Sequence, residues 1–138
     1  MLKPGGRYLF NTWSAVAQNP HVGITLAVLA NRYPRQSSWL IDRVAYGYHD
    51  PAAIRADLAA GGFKDCRIDT VTLAGPVLSA EAAAIGYCQG TPIRGEILAQ
   101  DPDGLQPTTE EVARALAARY GTGAFEIPIT ALVVEVTR

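Results

Sequence analysis

Ile127-Pro128-Ile129-Thr130-Ala131-Leu132-Val133-Val134-Glu135-Val136 decides how this chain folds. The run is almost continuously apolar and rich in β-branched residues. That is the pattern of a strand covered on both faces, in contrast to the strict alternation of a strand with one wet face. Such a strand lies inside a sheet, so partners are expected on both sides of it. Arg7-Tyr8-Leu9-Phe10-Asn11-Thr12-Trp13 supplies one. It is aromatic and β-prone and follows the turn Pro4-Gly5-Gly6, where proline presets φ and the next residue, a glycine, accepts the positive φ of a type II turn. Cys66 to Leu73 supplies the other. There Ile68, Val71 and Leu73 slip by one against the alternation, as a bulge or a two-sided strand would produce, and Gly75-Pro76 closes the strand.

Between these strands the spacing turns helical. Val22, Leu26, Leu29 and Tyr33 recur at three or four residues, with a break or restart at Asn19-Pro20 and an end at Pro34. Residues 35–48, which include Trp39, Leu40, Ile41, Val44 and Tyr46, read as a short helix followed by an extended segment. Asp50-Pro51 opens a helix, with Asp50 as N-cap and Ile54 and Leu58 on one face, and Gly61-Gly62 stops it. Ser79 caps a short helix over 80–87, and Thr91-Pro92 starts another in which Ile93 and Ile97 share a face. After a loop over 101–107, Thr108 with Glu111 reads as a capping box for a helix burying Val112, Leu116 and Tyr120 and ending at Gly121.

At 138 residues the chain is read as one domain spanning 1–138, with an apolar fraction of 49% that suits a packed core. Twelve basic residues against 13 acidic ones give a net charge of −1, without the positive footprint of a nucleic-acid binder. No apolar run reaches the ~18 residues of a membrane span and no leader-like segment opens the sequence, so a cytoplasmic protein with no membrane partner is expected. Cys66 and Cys88 lack any metal-ligand spacing, so no metal is expected. No nucleophile elbow, catalytic triad or paired-carboxylate motif is present.

Leu2-Lys3-Pro4-Gly5-Gly6-Arg7-Tyr8-Leu9-Phe10 resembles the turn into the fifth strand of class I S-adenosylmethionine-dependent methyltransferases. Asp50-Pro51 through Ala60-Gly61-Gly62-Phe63-Lys64-Asp65-Cys66 resembles that family's following helix and sixth strand, and 131–136 its seventh strand. The matches fall in the family's order and cover most of the chain. Residues 35–48 and 87–94 are similar to the variable lid and insertion regions of the small-molecule, ubiquinone-biosynthesis type. The resemblance implies an α/β fold, an α+β fragment of a Rossmann-like sheet. Its strand order would be five-seven-six, with the last strand in the middle, antiparallel to the sixth and parallel to Arg7–Trp13, and a helical insert or lid would span about 15–48.

The family holds S-adenosylmethionine with a glycine-rich loop after its first strand and an acidic residue ending its second. Neither is found here, since Gly5-Gly6 precedes a strand instead of following one. The chain therefore corresponds to the C-terminal half only. It is expected to bind no cofactor and to be inactive alone, its missing half supplied by a separate N-terminal polypeptide or by an unabridged version of the same gene. The edge of Arg7–Trp13 that would pair with a fourth strand is bare, which also implies a homodimer or a domain-swapped oligomer.

Under the resemblance, Asn11 and Trp13 at the carboxyl end of a strand become cofactor-contacting candidates, as alternatives to plain core packing. His49, beside Tyr46 and Tyr48, is the candidate catalytic group, against its reading as a solvated loop residue. His21 stands alone near a helix start. Trp39, Tyr46 and Tyr48, with Arg94 near the Thr91-Pro92 helix start, are candidates for binding a small-molecule substrate. An aromatic pocket of Trp13, Trp39, Tyr46 and Tyr48 would equally serve a non-catalytic small-molecule-binding or oligomerisation module.

Overall fold

A computed structural model describes every residue except Met1, Pro4 and Lys64. The elements run β1 (Arg7–Trp13), a 3-10 turn (Val16–Gln18), α1 (Pro20–Arg32), a π-helical turn (Ile41–Ala45), α2 (Pro51–Ala60), β2 (Asp65–Val77), α3 (Ala80–Gly90), α4 (Ile93–Gln100), α5 (Leu105–Tyr120) and β3 (Phe125–Thr137). The expected proline of the first turn and the lysine of the 60–66 motif lie outside the described residues. Gly5 takes φ +77 there, and the Gly6 N–H donates to the Lys3 carbonyl.

The sheet order is β1-β3-β2, and β3 is antiparallel to both neighbours. This corrects the parallel pairing expected between the first strand and the last. Helices α3 to α5 return the chain to the end of the sheet where β2 left it, so Phe125 meets Val77 and β3 runs back along β2. The crossover through α1 and α2 makes β1 and β2 run the same way, so the strand between them opposes both.

Alternation along the strands sends Phe10, Cys66, Ile68, Leu132, Val134 and Val136 to one face, where Ile54 and Leu58 of α2 cover them. The other face carries Leu9, Val71, Leu73, Ala131 and Val133. Leu73 is 64% exposed and Leu9 58%. β3 is thus central in its hydrogen bonding but, over 131–137, is not covered on both faces as its composition had implied. The remaining helices pack on one another and leave this face bare. Val22 and Leu29 of α1, and Tyr33 just after it, meet Ile93 and Ile97 of α4 together with Trp39, Ile41 and Tyr46. Val28 of α1 joins Ala84 and Cys88 of α3 and Val112 and Leu116 of α5.

Several local expectations hold. The Asp50 carboxylate accepts from the Ala52 N–H at 2.8 Å and the Ser79 hydroxyl from the Ala82 N–H at 3.0 Å. Others are corrected. β2 continues through Gly75 and Pro76 in unbroken register, because Gly75 lies under Ile129, where a Cβ would collide. α3 runs on to Gly90. α5 begins at Leu105, not at a capping box. Thr108 is buried inside its first turn, donating to the Gly104 carbonyl at 2.7 Å and meeting the Tyr33 hydroxyl at 2.9 Å, while Glu111 faces Arg32. Among the described residues no helix is long and apolar enough to cross a membrane.

Past Trp13 the flank of β3 is held by a side chain instead of a strand. Asn19 is fully buried; its Oδ1 accepts from the Thr130 N–H at 2.9 Å and its Nδ2 donates to the Thr130 carbonyl at 3.1 Å. The Ser14 N–H donates to that same carbonyl at 3.1 Å. Replacing Asn19 with alanine strands the Thr130 N–H away from water, while the Thr130 carbonyl keeps the Ser14 N–H, and one such buried group costs about 1–3 kcal/mol. Asn19→Ala should therefore lower stability by about 1–3 kcal/mol in urea unfolding; a loss within experimental error would show that the bracket contributes nothing.

Candidate functional site

Trp13 closes β1, and the π-helical turn brings Tyr46 over it. The two rings stack 5.7 Å apart and 17° from parallel. Beside this pair lies a cavity of about 340 Å³, walled by His21 of α1, Ile41 of the π-helical turn, Tyr87 of α3, and Ile127 and Ile129 of β3. Thr91 braces the corner between α3 and α4, its hydroxyl donating to the Tyr87 carbonyl at 2.6 Å. Among the described residues no acidic, lysine or arginine side chain lines the space.

Burial sets the protonation of the polar groups. It lowers the His21 imidazole below its ordinary 6.5, so the ring is neutral at neutral pH. Burial raises the phenols of Tyr46 and Tyr87, the latter further because Tyr46 and Tyr120 would repel its anion, so both keep their protons. His21 packs against Tyr87 with ring centres 5.8 Å apart, and its Nδ1 is buried without a hydrogen-bond partner. The walls are therefore neutral and largely aromatic. They can position a flat ligand, but they present no acid and base poised for proton transfer.

Of the residues singled out from sequence, the structure brings Trp13 and Tyr46 together and disperses the rest. Trp39 is a core residue, edge-on to Tyr33 at 5.6 Å. Tyr48 is turned outward, donating to Asp57 at 2.8 Å, while its carbonyl accepts from the Thr12 hydroxyl at 2.8 Å. His49 is exposed and engages the Tyr46 carbonyl through Nδ1 at 2.7 Å, pinning the loop instead of facing the cavity. Arg94 is exposed on α4 and does not line the cavity. Asn11 lies on the bare sheet face, in an open recess with Leu9, Val71, Leu73 and Val133 that shares Trp13 and Ile129 with the cavity. The cavity thus opens along the uncovered face of the sheet.

His21 and Tyr87 are the residues that sequence reasoning passed over. Their signal was spacing. His21, Thr25 and Val28 fall at i, i+4 and i+7 on the buried side of α1, so a histidine there had to be desolvated. Among the described residues no group of three histidine, cysteine or acidic side chains is placed to hold a metal. No protein-family model matches the chain, and no curated protein matches it either.

The His21 shift has a sign. Its folded value lies below its unfolded one, so between the two the unfolded chain binds more protons and stability rises with pH. Stability should be complete above about 6.5 and fall as pH drops toward the folded value. Urea unfolding between pH 7.5 and 5 should show this slope in the wild-type chain and its loss in His21→Gln. An equal slope in both would assign the titration to another group.

Proposed function

We propose that the chain is the C-terminal half of a class I S-adenosylmethionine-dependent methyltransferase acting on a small molecule in the cytoplasm, and that it supplies the substrate side of the site. The observation that carries this reading is the neutral aromatic cavity at the carboxyl end of β1, walled in part by residues of the helical insert. That is where the resemblance in the proline-glycine-glycine turn and the later motifs puts a substrate. The free thiols of Cys66 and Cys88 suit a reducing compartment.

S-adenosylmethionine would bring the electrophilic methyl group, but the residues present do not form its cradle. Among the described residues positive φ occurs at Gly5, before β1, and at Gly62 and Gly121, each after a helix. None joins the end of a strand to the start of a helix, where backbone N–H groups would converge on the cofactor. What these residues do is hold and shield. Trp13 and Tyr46 offer a flat wall, and the helical insert keeps bulk water from the substrate, leaving catalysis to positioning.

The complement is a cofactor-binding half, from a separate polypeptide or from more of the same one. The outer edge of β1 and the bare sheet face are where it would dock. A second copy of the chain, as a homodimer or a domain-swapped pair, would use the same edge. The uncharged cavity without a cofactor cradle also favours a second reading, a non-catalytic small-molecule-binding module.

Calorimetric titration of the chain with S-adenosylmethionine, with mass-resolved sizing, should give no saturable heat at millimolar ligand; one-site binding would overturn the half-enzyme reading. Fused behind the cofactor-binding half of a ubiquinone-type enzyme, ending at that half's fourth strand, the chain should show slowed amide exchange over 7–13. A fusion that binds the cofactor yet leaves that exchange unchanged would favour the binding module.

A further inference from the structure

We infer that the cavity beside Trp13 and Tyr46 binds neutral, flat one- or two-ring molecules carrying a hydrogen-bond donor, with His21 as the residue that accepts it. Size sets the first limit. A dry cavity of roughly 150 Å³ admits benzene, and about 340 Å³ leaves room for two fused rings. Charge sets the second. An ion entering would lose its hydration with no opposite charge on the walls, so the ligand is neutral. Shape follows from Trp13, Tyr46 and Tyr87, whose ring surfaces favour flat partners.

The polar requirement comes from His21. The side chain is 3% exposed, lines the cavity, and leaves Nδ1 without a partner. The other two fully buried side-chain atoms without a partner among the described residues, Trp39 Nε1 and Tyr120 Oη, belong to residues that do not line this cavity. The Thr91 hydroxyl is already engaged with the Tyr87 carbonyl. A neutral imidazole has one N–H and one lone pair. A buried N–H without an acceptor is the rarer and costlier orphan, so the lone pair rests on Nδ1 and the missing partner is a donor. As placed, Nδ1 is itself buried, so the inference includes a half-turn of the ring about Cβ–Cγ that would bring this lone pair to the cavity.

This names the substrate class for the site and rests on the methyltransferase reading for the word substrate alone. Binding is measured without cofactor, so the two can fail separately. Indole and 1-methylindole are the probes, since they differ in the ring N–H, and the readout is the isoleucine methyl spectrum of the full chain. Indole should shift the methyls of Ile41, Ile127 and Ile129 saturably and leave Ile68 and Ile85 in place. 1-Methylindole should bind about five- to tenfold more weakly, as loss of one neutral hydrogen bond implies. His21→Phe should bind both probes alike. Equal wild-type affinity for the two probes, shifts without saturation, or saturable shifts at Ile68 or Ile85 instead would overturn the inference, and because the decisive comparison uses the wild-type chain, misfolding of the variant does not obscure it.

Discussion

The bracket between Asn19 and Thr130 is the interaction on which the rest of the structure leans. β1 stops at Trp13, but β3 extends six residues beyond its register with β1, and those residues would leave backbone groups bare on that side. One amide side chain meets both the N–H and the carbonyl of Thr130, and the same residue sits directly before the first residue of α1. The direction of α1 is thereby tied to the sheet. His21 follows two residues later and is delivered to the space beside Ile127 and Ile129. A buried polar group satisfied in this way fixes geometry more than it adds net stability, since most of its hydrogen-bond energy replaces what water would have given.

The second constraint is the one-sided covering of the sheet. α2 seals one face with Ile54 and Leu58, whereas the opposite face runs apolar from Leu9 and Leu73 to Trp13 and passes into the cavity. This contiguous exposed apolar surface is where the partner proposed above would dock. It also explains why the cavity is open, because its missing wall lies on the side where the sheet lacks a layer.

Much of the architecture was legible in the residues. The three strands, the Asp50 and Ser79 caps and the apolar stripes of α1 and α2 all follow from local chemistry and periodicity. The failures share a physical origin in tertiary context. Gly75-Pro76 has the composition of a turn, yet the glycine is needed because Ile129 crosses it, a contact between residues 54 apart in the chain. Thr108 has the composition of a cap, but its hydroxyl is taken by Gly104 and Tyr33. The continuous apolar run of β3 showed that both faces would be greasy and could not show which would be covered. At the site, Trp13 and Tyr46 were found through aromatic composition, which also drew in Trp39 and Tyr48. Separating the four needs the path of 35–48, where a single π-helical turn buries Trp39, Ile41 and Tyr46 and leaves Tyr48 outside.

The place of β3 between two strands that precede it has a consequence for synthesis. β1 and β2 do not touch, so neither has a partner in the sheet until β3 has left the ribosome. Through that interval the helices can gather on one another while the edges of β1 and β2 stay unpaired, and sheet pairing then arrives in one late step spanning long sequence separations. The nascent chain is thus most vulnerable to aggregation just before its fold closes. A sheet built in this order depends on rapid docking of β3 onto both waiting edges.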